Sequence, residues 1–294
     1  MASSETIRGY IELLRPHNLF VSAITTLVGY SVVSKLQDGS IVGFDYLIAS
    51  TIVVLIAAAG YVINDYYDIE TDKISKPWRP IVRGSVKPEH ARYFAYLLFI
   101  LGITVALLSS LLIGLFALIS GLLVHEYSRW IKKTGFIGNI AVSIESAATI
   151  LFGGFFAAVY HGAYVPLIVL IPTIYAFLFV LGREIVKGIE DVEGDKQANI
   201  YTLAVTVGPH RAAIIATIIL AIVVLISPLP WMAGIYNVLY LIFAAGVDLS
   251  IIVSILLLGR GKTLNELIEA SRKARSLLKI GFLMGGLAFL LGII

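Results

Sequence analysis

The sequence predicts an all-α polytopic membrane protein with nine transmembrane helices, and three observations carry that prediction. Of the 294 residues, 59% are hydrophobic and only 14% are charged, where a soluble domain carries about 25% charged residues. Apolar runs long enough to cross hydrocarbon, roughly 20 residues each, recur along the whole chain. Every Lys and Arg except Lys35 falls on one side of the parse these runs define.

The elements follow in order. The stretch Met1 to Arg15 is polar and shows no cleavable leader pattern, so the first apolar run stays as an anchor. The spans are expected at 17–34, 46–66, 92–112, 113–131, 138–159, 164–186, 211–230, 236–257 and 275–294. Pro16, Gly135 with Gly138, Pro228 with Pro230, and Gly259 with Gly261 mark boundaries. Ser109-Ser110 with Gly114 is expected to turn the chain between the third and fourth spans. Lys and Arg then gather at the N-terminus and in the segments after spans 2, 4, 6 and 8. Cytoplasmic loops carry the excess of Lys and Arg. The N-terminus and these loops should therefore be cytoplasmic and the C-terminus outside, in a multi-pass protein of the cell membrane. An odd number of spans is what that orientation requires.

Two of the inside loops, 67–91 and 187–210, are the longest, and each follows a span that runs into an acidic cluster. The first cluster is Asn64-Asp65-Tyr66-Tyr67-Asp68-Ile69-Glu70-Thr71-Asp72, and the second is Glu190-Asp191-Val192-Glu193-Gly194-Asp195. They lie four helices apart, and Gly84 and Gly208 follow them at similar spacing. The chain thus reads as one transmembrane domain, 1–294, with two related halves at about 10–133 and 134–258 and an extra helix at 275–294. Internal repeats in membrane proteins often put the site at their interface.

Composition removes several function classes. A net charge of +3 does not suggest nucleic acid. The absence of cysteine excludes disulfides and thiolate metal sites, and the five histidines show no ligand spacing.

The acidic clusters carry the chemistry. On a helix, Asn64, Asp68 and Asp72 share one face at i, i+4 and i+8. Stacked carboxylates repel unless a cation lies between them. Oxygen-only donors suit a hard cation, magnesium above all, and Asp191 and Asp195 repeat the spacing. Magnesium usually takes one or two carboxylates and shares the rest of its shell with phosphate and water. Two facing clusters therefore imply a phosphate-bearing ligand between them. Lys76, Arg79 and Arg83 follow the first cluster, Lys187 precedes the second, and Arg129, Lys132 and Lys133 end span 4. Such cations grip phosphate, although each would equally serve a solvated inside surface.

Asn64-Asp65-x-x-Asp68-x-x-x-Asp72, followed by Lys76-Pro77-Trp78-Arg79-Pro80-Ile81-x-x-Gly84, resembles the first signature of the UbiA superfamily of intramembrane prenyltransferases. Arg183-Glu184-Ile185-x-Lys187-x-Ile189-Glu190-Asp191-Val192-Glu193-Gly194-Asp195-Lys196, then Tyr201-Thr202-Leu203 and Gly208, resembles the second. The resemblance covers the chain, since nine helices is also that architecture. Gly188 departs from the pattern, standing where members often carry an aspartate.

The resemblance implies a magnesium-dependent transfer of a prenyl group from a prenyl diphosphate to a lipophilic acceptor, within membrane lipid. It places Asn64, Asp68, Asp72, Asp191 and Asp195 on metal and diphosphate. It places Lys76, Arg79, Lys132 and Lys187 on phosphate oxygens, and Tyr127 near the reacting carbon. Arg15 and Asn18 also match, although Arg15 would serve as well as an interfacial anchor. Among acceptors, the string Leu13-Leu14-Arg15-Pro16-His17-Asn18 and the segment Arg183 to Lys196 are most similar to the branch that prenylates geranylgeranylglyceryl phosphate in ether-lipid synthesis. 4-Hydroxybenzoate, in quinone synthesis, is the alternative acceptor. A transporter of a phosphorylated or divalent solute is the alternative of another class, but its site would lie at the membrane midplane. Glu145, about two turns into span 5, and Asp248, midway along span 8, are charged groups in apolar surroundings, which are costly and usually functional.

Overall fold

The computed structural model describes residues 4–39, 43–197 and 200–293. Among these, every regular element is helical, and nine helices are long and apolar enough to cross a membrane. Residues 198 and 199 of the second acidic loop, and Ile294 at the end of the expected ninth span, lie outside the described residues.

In chain order the helices are α1 (Ser4–Leu14), α2 (Pro16–Asp38), α3 (Tyr46–Tyr67), α4 (Ile69–Ser75), α5 (Pro88–Ser109), α6 (Leu111–Arg129) and α7 (Phe136–Tyr160). They continue as α8 (Leu170–Glu190), α9 (Val192–Gln197), α10 (Leu203–Val207), α11 (Pro209–Ile226), α12 (Leu229–Met232), α13 (Val238–Arg260) and α14 (Leu264–Gly292). Short 3-10 turns cover Ile131–Lys133 and Leu167–Val169. The turn expected at Ser109-Ser110 is present: Ser110 is extended and its hydroxyl accepts from the Ile113 amide at 3.1 Å, an N-cap that starts α6.

Four boundaries differ from the sequence reading. The polar N-terminal stretch is itself helical, as α1, and breaks at Arg15, the one described non-glycine residue with a left-handed backbone (φ 52°). Pro16 disfavours helical geometry at the residue before it, so the break has a local cause. The third span begins at Pro88 rather than 92, because proline is well placed in the first helical turn. The seventh breaks after Ile226. Pro230 has no N–H to give the Ile226 carbonyl, and that carbonyl accepts instead from the Tyr175 hydroxyl; the Ser227 carbonyl accepts from Tyr240 at 2.7 Å. The ninth begins at 264, well before 275, because Thr263 and Glu266 form a capping box. Residues first read as a loop are thus two turns or more of α14.

Packing fixes the frame around one intramembrane space. α2 packs on α7, α3 on α5, and α8 on both α7 and α11, with α13 and α14 paired beside them. The α2–α7 crossing is tightest. A methyl group at Gly29 would lie 1.7 Å from the Ile150 carbonyl oxygen, and one at Gly153 would lie 2.0 Å from that of Thr26, so only glycine allows this approach. At one end of the bundle, α1 and the 79–86 segment cap α3: Leu13, Ile81 and Val86 are buried together, and Arg83 pairs with Glu12 at 2.8 Å.

Candidate active site

The first acidic cluster lies where α3 ends. The helix breaks at Asp68 (φ −93°, ψ 5°) before α4 resumes. The amides of Asp68 and Asp72 still bond the carbonyls of Asn64 and Asp68, at 3.0 and 2.7 Å, so the i+4 relation survives the break. These carboxylates are met by cations. Arg79 donates to Asp65 and Asp72, both at 2.6 Å. Arg15 also pairs with Asp65 and lies 5.2 Å from the Tyr61 ring centre. Lys76 lies 3.8 Å from Asp72. Lys132, from the turn after α6, reaches Asp68 at 2.5 Å. With its amide oriented to satisfy both neighbours, Asn64 donates to Asp68 at 2.9 Å and accepts from Lys132 at 3.3 Å. Burial pushes the Asp72 carboxyl above its ordinary range and the Lys132 ammonium below its own.

The second cluster is arranged differently. At the end of α8, Glu184 holds Arg183 at 2.8 Å and Lys187 at 3.3 Å. Glu190 turns to α14, meeting Arg275 at 2.8 Å and Arg272 at 3.6 Å. Among the described residues, Asp191 and Asp195 make no ion pair. Burial, and then the neighbouring charge of Asp191, push Asp195 up to about 6.

The two clusters face each other. Lys76 of the first lies within electrostatic reach of Asp195 of the second, and Tyr127 lies within reach of Lys187, Glu184 and Asp68. Beneath them a cavity of about 340 Å³ opens between α2, α3, α6, α7 and α8. Arg15, Asn64, Tyr127 and Lys187 contribute to its wall, as do Tyr61 and Glu184 near the charged end. Glu145 and Thr149 lie deeper, and Ile52, Phe116 and Phe152 are among its apolar residues. The four motif aspartates, Lys76, Arg79, Lys132 and Asn18 do not line it. They stand at the helix ends beyond it, except Asn18, whose carbonyl accepts from the Ser22 hydroxyl within α2. Arg129 pairs with Glu126 on the exposed end of α6.

Several functional neighbours escaped the sequence reading. Asp65 is 4% exposed and anchors two arginines. It fell off the i+4 register used to select ligands, and its pairing with Arg15 and Arg79 had no local signal. Glu184 and Glu190 were legible only as part of a motif string.

The donor set suits a hard divalent cation. It is all oxygen, and two of its carboxylates, Asp191 and Asp195, make no ion pair among the described residues. Among the described residues no three acidic or histidine side chains form a ready-made cage, which fits an ion that completes its shell with phosphate.

Comparison with known proteins gives the family of the chain. The profile of the UbiA prenyltransferase family matches residues 22–283. A relative from Hyperthermus butylicus, named digeranylgeranylglyceryl phosphate synthase, is 52% identical over 98% of each chain. A solved structure described as digeranylgeranylglyceryl phosphate synthase in membranes superposes with TM-score 0.78 at 32% identity, covering 99% of both chains. A UbiA homolog from Archaeoglobus fulgidus bound to GPP and Mg2+ shares the fold at 18% identity, with TM-score 0.66 over 94% of this chain and 99% of that one. The chain belongs to the UbiA prenyltransferase family and is a prenyl-transferring enzyme.

Proposed function

We propose that this member of the UbiA prenyltransferase family transfers a geranylgeranyl group from geranylgeranyl diphosphate to geranylgeranylglyceryl phosphate, with magnesium as cofactor. The observation that carries the reading is the cavity with two acidic helix ends at one end, interleaved with Lys76, Lys132 and Lys187, and apolar walls below. The diphosphate binds between Asp68 and Asp72 on one side and Asp191 and Asp195 on the other. Bound there, magnesium offsets the charge that develops on the departing diphosphate. Lys76 and Lys187 hold phosphate oxygens directly. Arg79 and Lys132 hold Asp65, Asp72 and Asp68 in position, and Asn64 links Asp68 to Lys132. Tyr127 sits over the reacting carbon. The apolar wall takes the prenyl chains and keeps water from the allylic cation.

Arg15 and Lys187 both contribute to the cavity wall, so either anionic acceptor, a glycerol phosphate or 4-hydroxybenzoate, would meet positive charge there; the 52% identical relative named digeranylgeranylglyceryl phosphate synthase favours the glycerol phosphate. The charged end lies on the cytoplasmic side of the cell membrane, a placement the distribution of Lys and Arg supports. Purified protein incubated with labelled geranylgeranyl diphosphate, magnesium and a panel of acceptors tests the reading. Geranylgeranylglyceryl phosphate should be prenylated and chelator should abolish both donor binding and product. Product from 4-hydroxybenzoate alone would transfer the assignment to quinone synthesis.

A further inference from the structure

Glu145 is a carboxylate that the reading above leaves unused. It lies on the cavity wall, and among the described residues it makes no hydrogen bond or ion pair. Ionisable groups at such depth are costly and are normally paired or functional. The cavity's other carboxylate, Glu184, is held by Arg183 and Lys187.

Its depth matches a particular place in the reaction. At about 1.5 Å per residue, Glu145 lies roughly 13 Å along α7 from Phe136. Asn64 and Lys187 lie roughly 4.5 Å from the ends of α3 and α8. The carboxylate therefore starts about two turns below the level of the diphosphate. Side chains on a helix lean toward its N-terminus, and the N-terminus of α7 is at the charged end. Glu145 thus leans back toward the level just under the diphosphate, where the first carbon of the prenyl chain must lie. Arg15, Tyr61, Tyr127, Glu184 and Lys187 are the other charged or titratable groups around that space.

We infer that Glu145 is the proton acceptor for the attacking hydroxyl. This rests on the reaction proposed above. The bond from the allylic carbon to the diphosphate oxygen breaks, and its electron pair leaves with the diphosphate. A lone pair of the acceptor hydroxyl forms the new carbon–oxygen bond. The hydroxyl proton passes to a Glu145 carboxylate oxygen, giving a neutral ether, and is lost to solvent before the next turnover. No further reactant is needed. The cations at the charged end stabilise the leaving group but cannot take this proton.

The test uses full-length protein in detergent and the variants E145Q, E145D and E145A. Magnesium-dependent binding of geranylgeranyl diphosphate is followed by calorimetry, separately from transfer to geranylgeranylglyceryl phosphate. Donor affinity should stay within about twofold of the parent in all three. Transfer by E145Q should fall by about 100- to 10,000-fold, the usual worth of a general base. E145D, which keeps a carboxylate, should retain more activity than E145Q. Formate should restore part of the E145A rate and leave E145Q unchanged. Transfer by E145Q within threefold of the parent would overturn the inference. So would losses that formate does not restore and that appear as a raised acceptor KM, since Glu145 would then only hold the acceptor. Failure of the parent protein to bind donor or to prenylate this acceptor would instead break the proposed reaction.

Discussion

The two acidic helix ends carry the same spacing of aspartates but opposite charge balance. In the first, Asp65, Asp68 and Asp72 are each matched by Arg or Lys within 4 Å. In the second, Asp191 and Asp195 are unmatched, and the ion pairs go to Glu184 and Glu190 beside them. Equal spacing thus hides a division of labour. The first end is a closed, self-neutralised frame that holds the loop after α3 against α1 and α6. The second is an open one, and gains most from an added divalent cation.

The largest expected effect breaks the frame. Asp65→Ala takes the partner of Arg15 and leaves Arg79 only Asp72. Removing one partner of a fully buried pair typically costs about 3–5 kcal/mol; with Arg15 open to the cavity and Arg79 still paired, D65A should lose about 2–3 kcal/mol in a denaturant titration. Loss below about 1 kcal/mol would mean the frame is not closed. The next effect isolates the open end. D191A and D195A should each slow transfer by about 100- to 1000-fold, or roughly 3–4 kcal/mol, with melting unchanged or improved because like charges are relieved. D68A and D72A should lose as much activity and also stability. Equal melting losses at both ends would erase the distinction.

A smaller effect separates α14 from a mere basic surface. Arg275→Ala leaves Glu190, next to Asp191, only the more distant Arg272 at 3.6 Å, and should lower transfer several-fold with raised metal requirement. Lys273→Ala, whose partner Glu269 is exposed like itself, and Lys262→Ala should leave the rate within about twofold. A separate effect is a pH dependence of the metal-free protein. Asp195 titrates near 6 when folded against 3.8 as a free side chain, so the folded state binds more protons between these values. Stability should therefore fall as pH rises from about 4 to 6 and level off above. D195N should flatten that slope in thermal melts.

Much of this was legible in the sequence because lipid imposes length and composition on every span. Among the described residues the nine apolar runs map onto nine helices, and the Ser109-Ser110 turn sits where two small polar residues interrupt them. The start of α14 was not legible: Glu266, Glu269, Lys273 and Arg275 give that segment the polarity of a loop, whereas a capping box and the pairing to Glu190 make it helix. The site was legible as a set of residue types at fixed spacing. Its pairing was not, because Arg15 and Asp65 are joined by tertiary packing, which no local pattern records. Arg79 and Lys132 were read as phosphate ligands, yet both are bonded to carboxylates, a distinction that depends on where side chains converge. Glu145 stood out by its depth alone, and only the cavity gave it a direction to face.

The glycine contact between α2 and α7 has a mechanical consequence. Backbone there touches backbone, so no side chain can swing aside to vary the gap, and the two helices must shift as one rigid piece. Away from that seam the cavity is bounded by side chains, Ile52, Ile56 and Phe116 from α3 and α6 and Phe152 from α7, and these can change rotamer where a backbone contact cannot.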